Sequence, residues 1–169
     1  MSREATDRET KPLWTPKRRI AARVSLVHGV VLEGTLYADV HRLDGSPGSI
    51  VDRLEDPLVK YLPLAVDDRH VLLQKHQIVT IELGPEDSRP PETAELRELR
   101  VRLRLSTRAI LEGSFFAVLS PVHSRVLDYL NVTPSTFLRL FQADRLALVN
   151  GQYVVEVSEL LGRADPAPA

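Results

Sequence analysis

Leu32-Glu33-Gly34-Thr35-Leu36-Tyr37 and Leu111-Glu112-Gly113-Ser114-Phe115-Phe116 are two versions of one stretch, 79 residues apart. The match continues downstream at a spacing of 76. Asp52-Arg53-Leu54 answers Asp128-Tyr129-Leu130, Tyr61-Leu62-x-Leu64 answers Phe137-Leu138-x-Leu140, and Asp68-Arg69 answers Asp144-Arg145. The first copy therefore carries three extra residues in its middle. A unit repeated at this length implies two like modules rather than one large enzyme domain, so the question moves from which reaction to which partner.

Within each copy the hydrophobic period is two. Ile20, Ala22, Val24 and Leu26 alternate with Arg19, Ala21, Arg23 and Ser25, and Leu99, Val101, Leu103 and Leu105 alternate with Arg100, Arg102, Arg104 and Ser106. Such alternation is the pattern of a half-buried strand. His28-Gly29 makes a turn, and Val30–Tyr37 returns as the second arm of a hairpin, with Gly34 placed where the strand must bend. The second copy keeps this glycine as Gly113 but has Ser106-Thr107-Arg108 at the turn. Ser49–Leu54 and Ser124–Asn131 suit short helices capped by Ser49 and Ser124, with their apolar residues on one face. Tyr61–Val66 and Val71–Leu83 then close the first copy, and Phe137–Gln142 and Leu146–Val157 the second. The last segment of each pair is broken by a turn, at Lys75-His76-Gln77 and Asn150-Gly151-Gln152. A further helical turn is predicted over Thr93–Leu99.

The fold class predicted is mainly β: two tandem small, sharply bent β-barrels, each with one short helix, since closure removes exposed sheet edges. The boundaries follow composition. Residues 1–16 form a polar N-terminal segment expected to be flexible, 17–83 the first barrel, 84–94 a linker with three prolines, 95–161 the second barrel, and 162–169 a flexible tail.

Composition narrows the function. Of 169 residues, 43% are hydrophobic and 27% charged, enough to bury a core, and 22 Lys+Arg against 23 Asp+Glu leave a formal net charge of −1. No global field draws in nucleic acid or an anionic membrane, so such a role would need a local patch. The absence of cysteine removes thiol catalysis and cysteine metal sites, and fits a reducing compartment. No segment reads as a signal peptide or a membrane span, which makes a cytoplasmic location the expectation.

The pattern Val24-x-Leu26-x-x-Gly29-x-x-Leu32-x-Gly34-x-Leu36-x-x-Asp39 resembles the first signature of the Sm-like proteins, and Val71–Ile81 is similar in shape to the second. The resemblance implies a bent small barrel, and in that family a loop Asp or Asn and an Arg-Gly pair help hold RNA bases. Here the Arg-Gly positions are Gln74-Lys75 and Asn150-Gly151, Asp39 is answered by Val118, and the helix lies inside the repeat. The resemblance thus bears on architecture more than on RNA. A second one links Arg19-x-x-x-Arg23 and Asp44-x-Ser46-x-Gly48 to the PilZ pattern, which implies a cyclic di-GMP clamp of guanidinium forks. The family's final glycine falls on Ser49 here, and the competing reading is a surface turn beside a basic strand face.

Candidate binding residues are therefore Arg19 and Arg23 on one strand face and Arg100, Arg102 and Arg104 on the other, each face either an anion-binding stripe or a solvated surface that discourages edge pairing. Trp14 stands alone in a polar segment and either docks onto a barrel or anchors a partner. His28, His41, His70, His76 and His123 show no ligand spacing, so no metal or cofactor is expected. No nucleophile, base and orienting group converge, and the chain is read as non-enzymatic. The expected function is an adaptor or regulatory interaction module binding a protein partner, with self-association left open; the alternative is RNA, DNA or cyclic di-GMP binding through the arginine faces. A membrane partner is not expected.

Overall fold

The computed structural model describes residues 17–41, 48–87, 95–118 and 125–160. Trp14, both predicted tails, residues 88–94 of the linker, Asp44, Ser46, His123 and the predicted cap Ser124 lie outside them. Ten antiparallel strands and two helices make up the described chain. The first copy contributes β1 (Lys17–Leu26), β2 (Val31–Asp39), α1 (Ile50–Glu55), β3 (Tyr61–Val66), β4 (Arg69–Gln74) and β5 (Ile78–Leu83). The second contributes β6 (Leu96–Leu105), β7 (Ile110–Val118), α2 (Val126–Val132), β8 (Phe137–Phe141), β9 (Leu146–Asn150) and β10 (Val154–Glu159). The predicted helical turn before Leu99 is corrected: Leu96 to Leu99 belong to β6 and pair with Val118 to Phe115. Burial alternates from Glu98 onward and tertiary pairing extends the strand, which outweighs any local helical preference.

All ten strands form one open sheet in the order β10-β6-β7-β8-β9-β5-β1-β2-β3-β4. Each copy repeats the same internal order, and the two join where β5 meets β9. Alternation along β1 and β6 places Ile20, Val24, Val101 and Leu103 in the interior and the intervening arginines in solvent. The hairpin turns are also duplicates. Gly29 N–H donates to Leu26 O at 3.0 Å and Arg108 N–H to Leu105 O at 2.9 Å, with positive φ at both residues, 77° and 69°.

At Gly34 and Gly113 the next strand's backbone comes close, while the β1·β2 and β6·β7 registers run through both glycines without a break. The β2·β3 and β7·β8 pairings each contain a single registered pair, Thr35 with Ala65 and Ser114 with Phe141. A Cβ on Gly34 would stand 2.2 Å from Ala65 O, and one on Gly113 2.5 Å from Phe141 O, so only glycine lets the next strand's backbone approach there. The predicted helices form. Ser49 caps α1, with Asp52 Oδ2 accepting from Ser49 N–H at 2.8 Å, while in α2 Asp128 accepts from Arg125 N–H at 3.3 Å. No helix among the described residues is long and apolar enough to cross a membrane.

The two copies do not have separate interiors. Phe137, Phe141, Leu146 and Leu148 of the second copy pack into the cluster around Ile20, Leu36, Ile50 and Leu64 of the first. Val79 of the first packs into the cluster around Val101, Phe115 and Leu140 of the second. Removing either copy would expose apolar surface of the other.

Candidate functional site

The five candidate arginines are all exposed, and the sheet order separates them: β1 and β6 are not neighbours. Three of the five stand opposite a carboxylate. Arg102 lies across from Glu112, with Nε donating to Oε1 at 2.7 Å; its equivalent Arg23 lies across from Glu33 at 3.8 Å; and Arg104 faces Glu156 at 3.4 Å. Exposed pairs of this kind contribute ~0–1 kcal/mol each, so their main effect is to neutralise the stripe locally. Arg19 and Arg100 make no ion pair among the described residues. They are not equivalent positions, because Arg19 is answered by Glu98 and Arg100 by Ala21.

Arg100 lies at the rim of a cleft of about 530 Å³ on the outer face of β6, β7 and the β8–β9 turn. Its apolar floor is Phe116 against Phe141, edge to face with ring centres 5.2 Å apart. The rim carries both signs of charge, Arg100 against Glu98 and Glu112. Glu98 accepts from the buried Ser114 hydroxyl at 2.5 Å, and Gln142 Nε2 donates to Glu112 O at 2.8 Å, which fixes the walls. The first copy has Tyr37, Ala65, Ala21 and Val66 where the second has Phe116, Phe141, Arg100 and Gln142. The residues that give this cleft its floor and its cation thus differ from those at the equivalent positions of the first copy. Phe116 packs, partly buried, against the interior; the sequence signal for the cleft is the change from Ala65 to Phe141 beside the new Arg100.

Arg23 belongs instead to a row of alternating charge that crosses the junction of the copies. Glu33 on β2, Arg23 on β1, Glu82 on β5, then Arg145 and Asp144 at the start of β9 lie side by side, with Arg145 Nη1 3.0 Å from Glu82 Oε2 and Nε 3.0 Å from Asp144 Oδ1. The hydrogen bond from Arg145, with its charge, holds the Asp144 carboxyl below the usual carboxylate range, and the same carboxylates hold the Arg145 guanidinium above its ordinary value.

Family models, curated proteins and solved structures contain no match to this chain. Function has to be argued from these surfaces. Tyr129, pushed up by burial, packs its ring 4.9 Å from Phe115 and serves the interior. Gly48, the one member of the PilZ-like loop among the described residues, abuts the backbone of Asp39, where a Cβ would meet Asp39 O at 2.2 Å.

Proposed function

We propose that the chain is a non-enzymatic adaptor built from two Sm-like small barrels, and that it binds a protein partner through the cleft on the second one. The repeated strand order and the matched close approaches at Gly34 and Gly113 support the barrel reading. One observation carries the functional part: the aromatic floor of Phe116 and Phe141 under a rim of Arg100, Glu98 and Glu112, in which Phe141 and Arg100 stand where the first copy has Ala65 and Ala21. An apolar floor with a mixed-charge rim suits a protein side chain, because aromatic burial supplies affinity and the rim supplies selectivity. A nucleic-acid surface would present unpaired cations along a strand, whereas Arg23, Arg102 and Arg104 face carboxylates.

The test is a photo-reactive phenylalanine analogue at position 100, with position 21, its exposed counterpart in the first copy, as control. Protein adducts at 100 that are absent at 21 support the adaptor. The reading fails if no adduct forms and the chain instead binds short RNA, DNA or cyclic di-GMP in a salt-sensitive way that Arg100/Arg102/Arg104→Ala abolishes.

A further inference from the structure

The Phe116–Phe141 pair has a second side. A hollow of about 170 Å³ opens there, bounded by Tyr129 and Thr133 of the α2 region and carrying Arg139 of β8. Cleft and hollow share both phenylalanines, so the aromatic pair is a ridge between them, with Arg100 on one flank and Arg139 on the other. Arg139, like Arg100, stands where the first copy has an uncharged residue, here Pro63. The helix differs as well. Arg53, the counterpart of Tyr129, donates from Nη1 to Tyr37 O at 3.3 Å in the first copy, whereas Tyr129 turns to Phe115, its ring 4.9 Å away.

We propose that the segment this site takes from its protein partner is acidic: a large apolar side chain laid on the Phe116–Phe141 ridge, with a carboxylate on either side of it, one at Arg100 and one at Arg139. The inference rests on the reading of the cleft as a protein-binding site and names what that partner carries.

Charge complementarity carries it. The carboxylates of the site already have partners within the chain: Glu98 accepts from the Ser114 hydroxyl at 2.5 Å, and Glu112 pairs with Arg102 at 2.7 Å. Arg100 and Arg139 are exposed and form no ion pair among the described residues. Around the ridge, three guanidinium groups thus stand against two carboxylates, and the two without an acidic partner are the two that flank the aromatics. A carboxylate fits the fork of a guanidinium, and a large side chain laid over the ridge would exclude water from both pairs and strengthen them. A lysine-rich segment would meet Arg100 and Arg139 directly. A nucleic acid carries a charge at every step of its backbone and would bring phosphates against Glu98 and Glu112, whereas a peptide sets its carboxylates by sequence.

NMR of the full chain, titrated with three synthetic peptides, tests this. One carries a tryptophan flanked by glutamates, the second has lysines in place of the glutamates, and the third has serine in place of the tryptophan. The first is expected to shift the Nε–H signals of Arg100 and Arg139 together with the ring signals of Phe116 and Phe141, and to bind on the order of tenfold more tightly than either of the others. The double variant Arg100→Glu/Arg139→Glu changes two exposed positions, and unchanged circular dichroism establishes that it folds. It is expected to prefer the lysine peptide. A lysine peptide that binds the wild type at these residues as tightly as the glutamate one overturns the acidic partner and leaves the cleft a protein site. A glutamate peptide that shifts none of these signals, or a double variant that keeps the original preference, overturns it too, while the adducts at position 100 judge the cleft separately. A short single-stranded oligonucleotide that shifts the same signals at lower concentration than any peptide overturns both readings.

Discussion

The junction between the copies and the two outer edges of the sheet are built from the same repeat, yet differ in every property that burial controls. At the junction, β9 is buried from Leu146 to Asn150, and Asn150 Nδ2 donates across it to Ile78 O at 2.9 Å. The carbonyl of His76 accepts from Gln152 Nε2 at 2.8 Å and from the Tyr153 hydroxyl, and Glu55 of α1 accepts from Thr136 and Phe137 N–H. At the edge, Leu73 alone of the β4 residues matching β9 is buried. One fold unit thus supplies a buried seam where a neighbouring strand covers it and an open edge where none does, so position in the sheet largely decides which of its residues form core.

Matched substitutions put numbers on that difference. Leu148→Ala should destabilise by ~2–5 kcal/mol, because a fully buried leucine leaves a cavity, while Leu72→Ala should fall within ~0.5 kcal/mol in the monomer. Urea denaturation at low concentration measures both; equal costs would erase the distinction. Asn150→Ala should cost ~1–3 kcal/mol by leaving Ile78 O and Gln152 N–H without partners, and Gln74→Ala at the edge should be near neutral.

Smaller effects separate the copies in other ways. Arg108 holds the left-handed conformation that Gly29 holds in the first hairpin, so Arg108→Gly should raise stability by ~1 kcal/mol, measured as a shift in denaturation midpoint. The weakest effect is electrostatic. Asp144 is held below its ordinary value of 3.8 by Arg145, so its contribution is complete above that value and is lost as pH falls through the lowered one. Arg145→Met should move the Asp144 titration upward, followed by carboxyl carbon NMR.

Much of this architecture was legible in the chain. Period-two alternation located β1 and β6, the repeat located their hairpin partners, and Ser49 announced the capped start of α1. The helical turn predicted over Thr93–Leu99 gives way to strand at residues 96–99, since cross-strand pairing with residues 115–118 overrode a short local pattern. The seam was not recognised, because no strand names its neighbour. Its signal was in the differences between copies. Leu83 at the junction becomes Glu159 at the edge, and Leu146 becomes His70: two apolar residues that a neighbouring strand covers answer polar ones where none does. The cleft likewise lay in divergence between the repeats, at Phe141 and Arg100, rather than in what they share.

Amide hydrogen exchange, followed by NMR, addresses the difference between seam and edge most directly. Leu148 and Ile81 amides should exchange slowly, while Leu72 and Val157 amides exchange fast. Leu72 and Val157 amides as protected as those of Leu148 and Ile81 in dilute solution would contradict it.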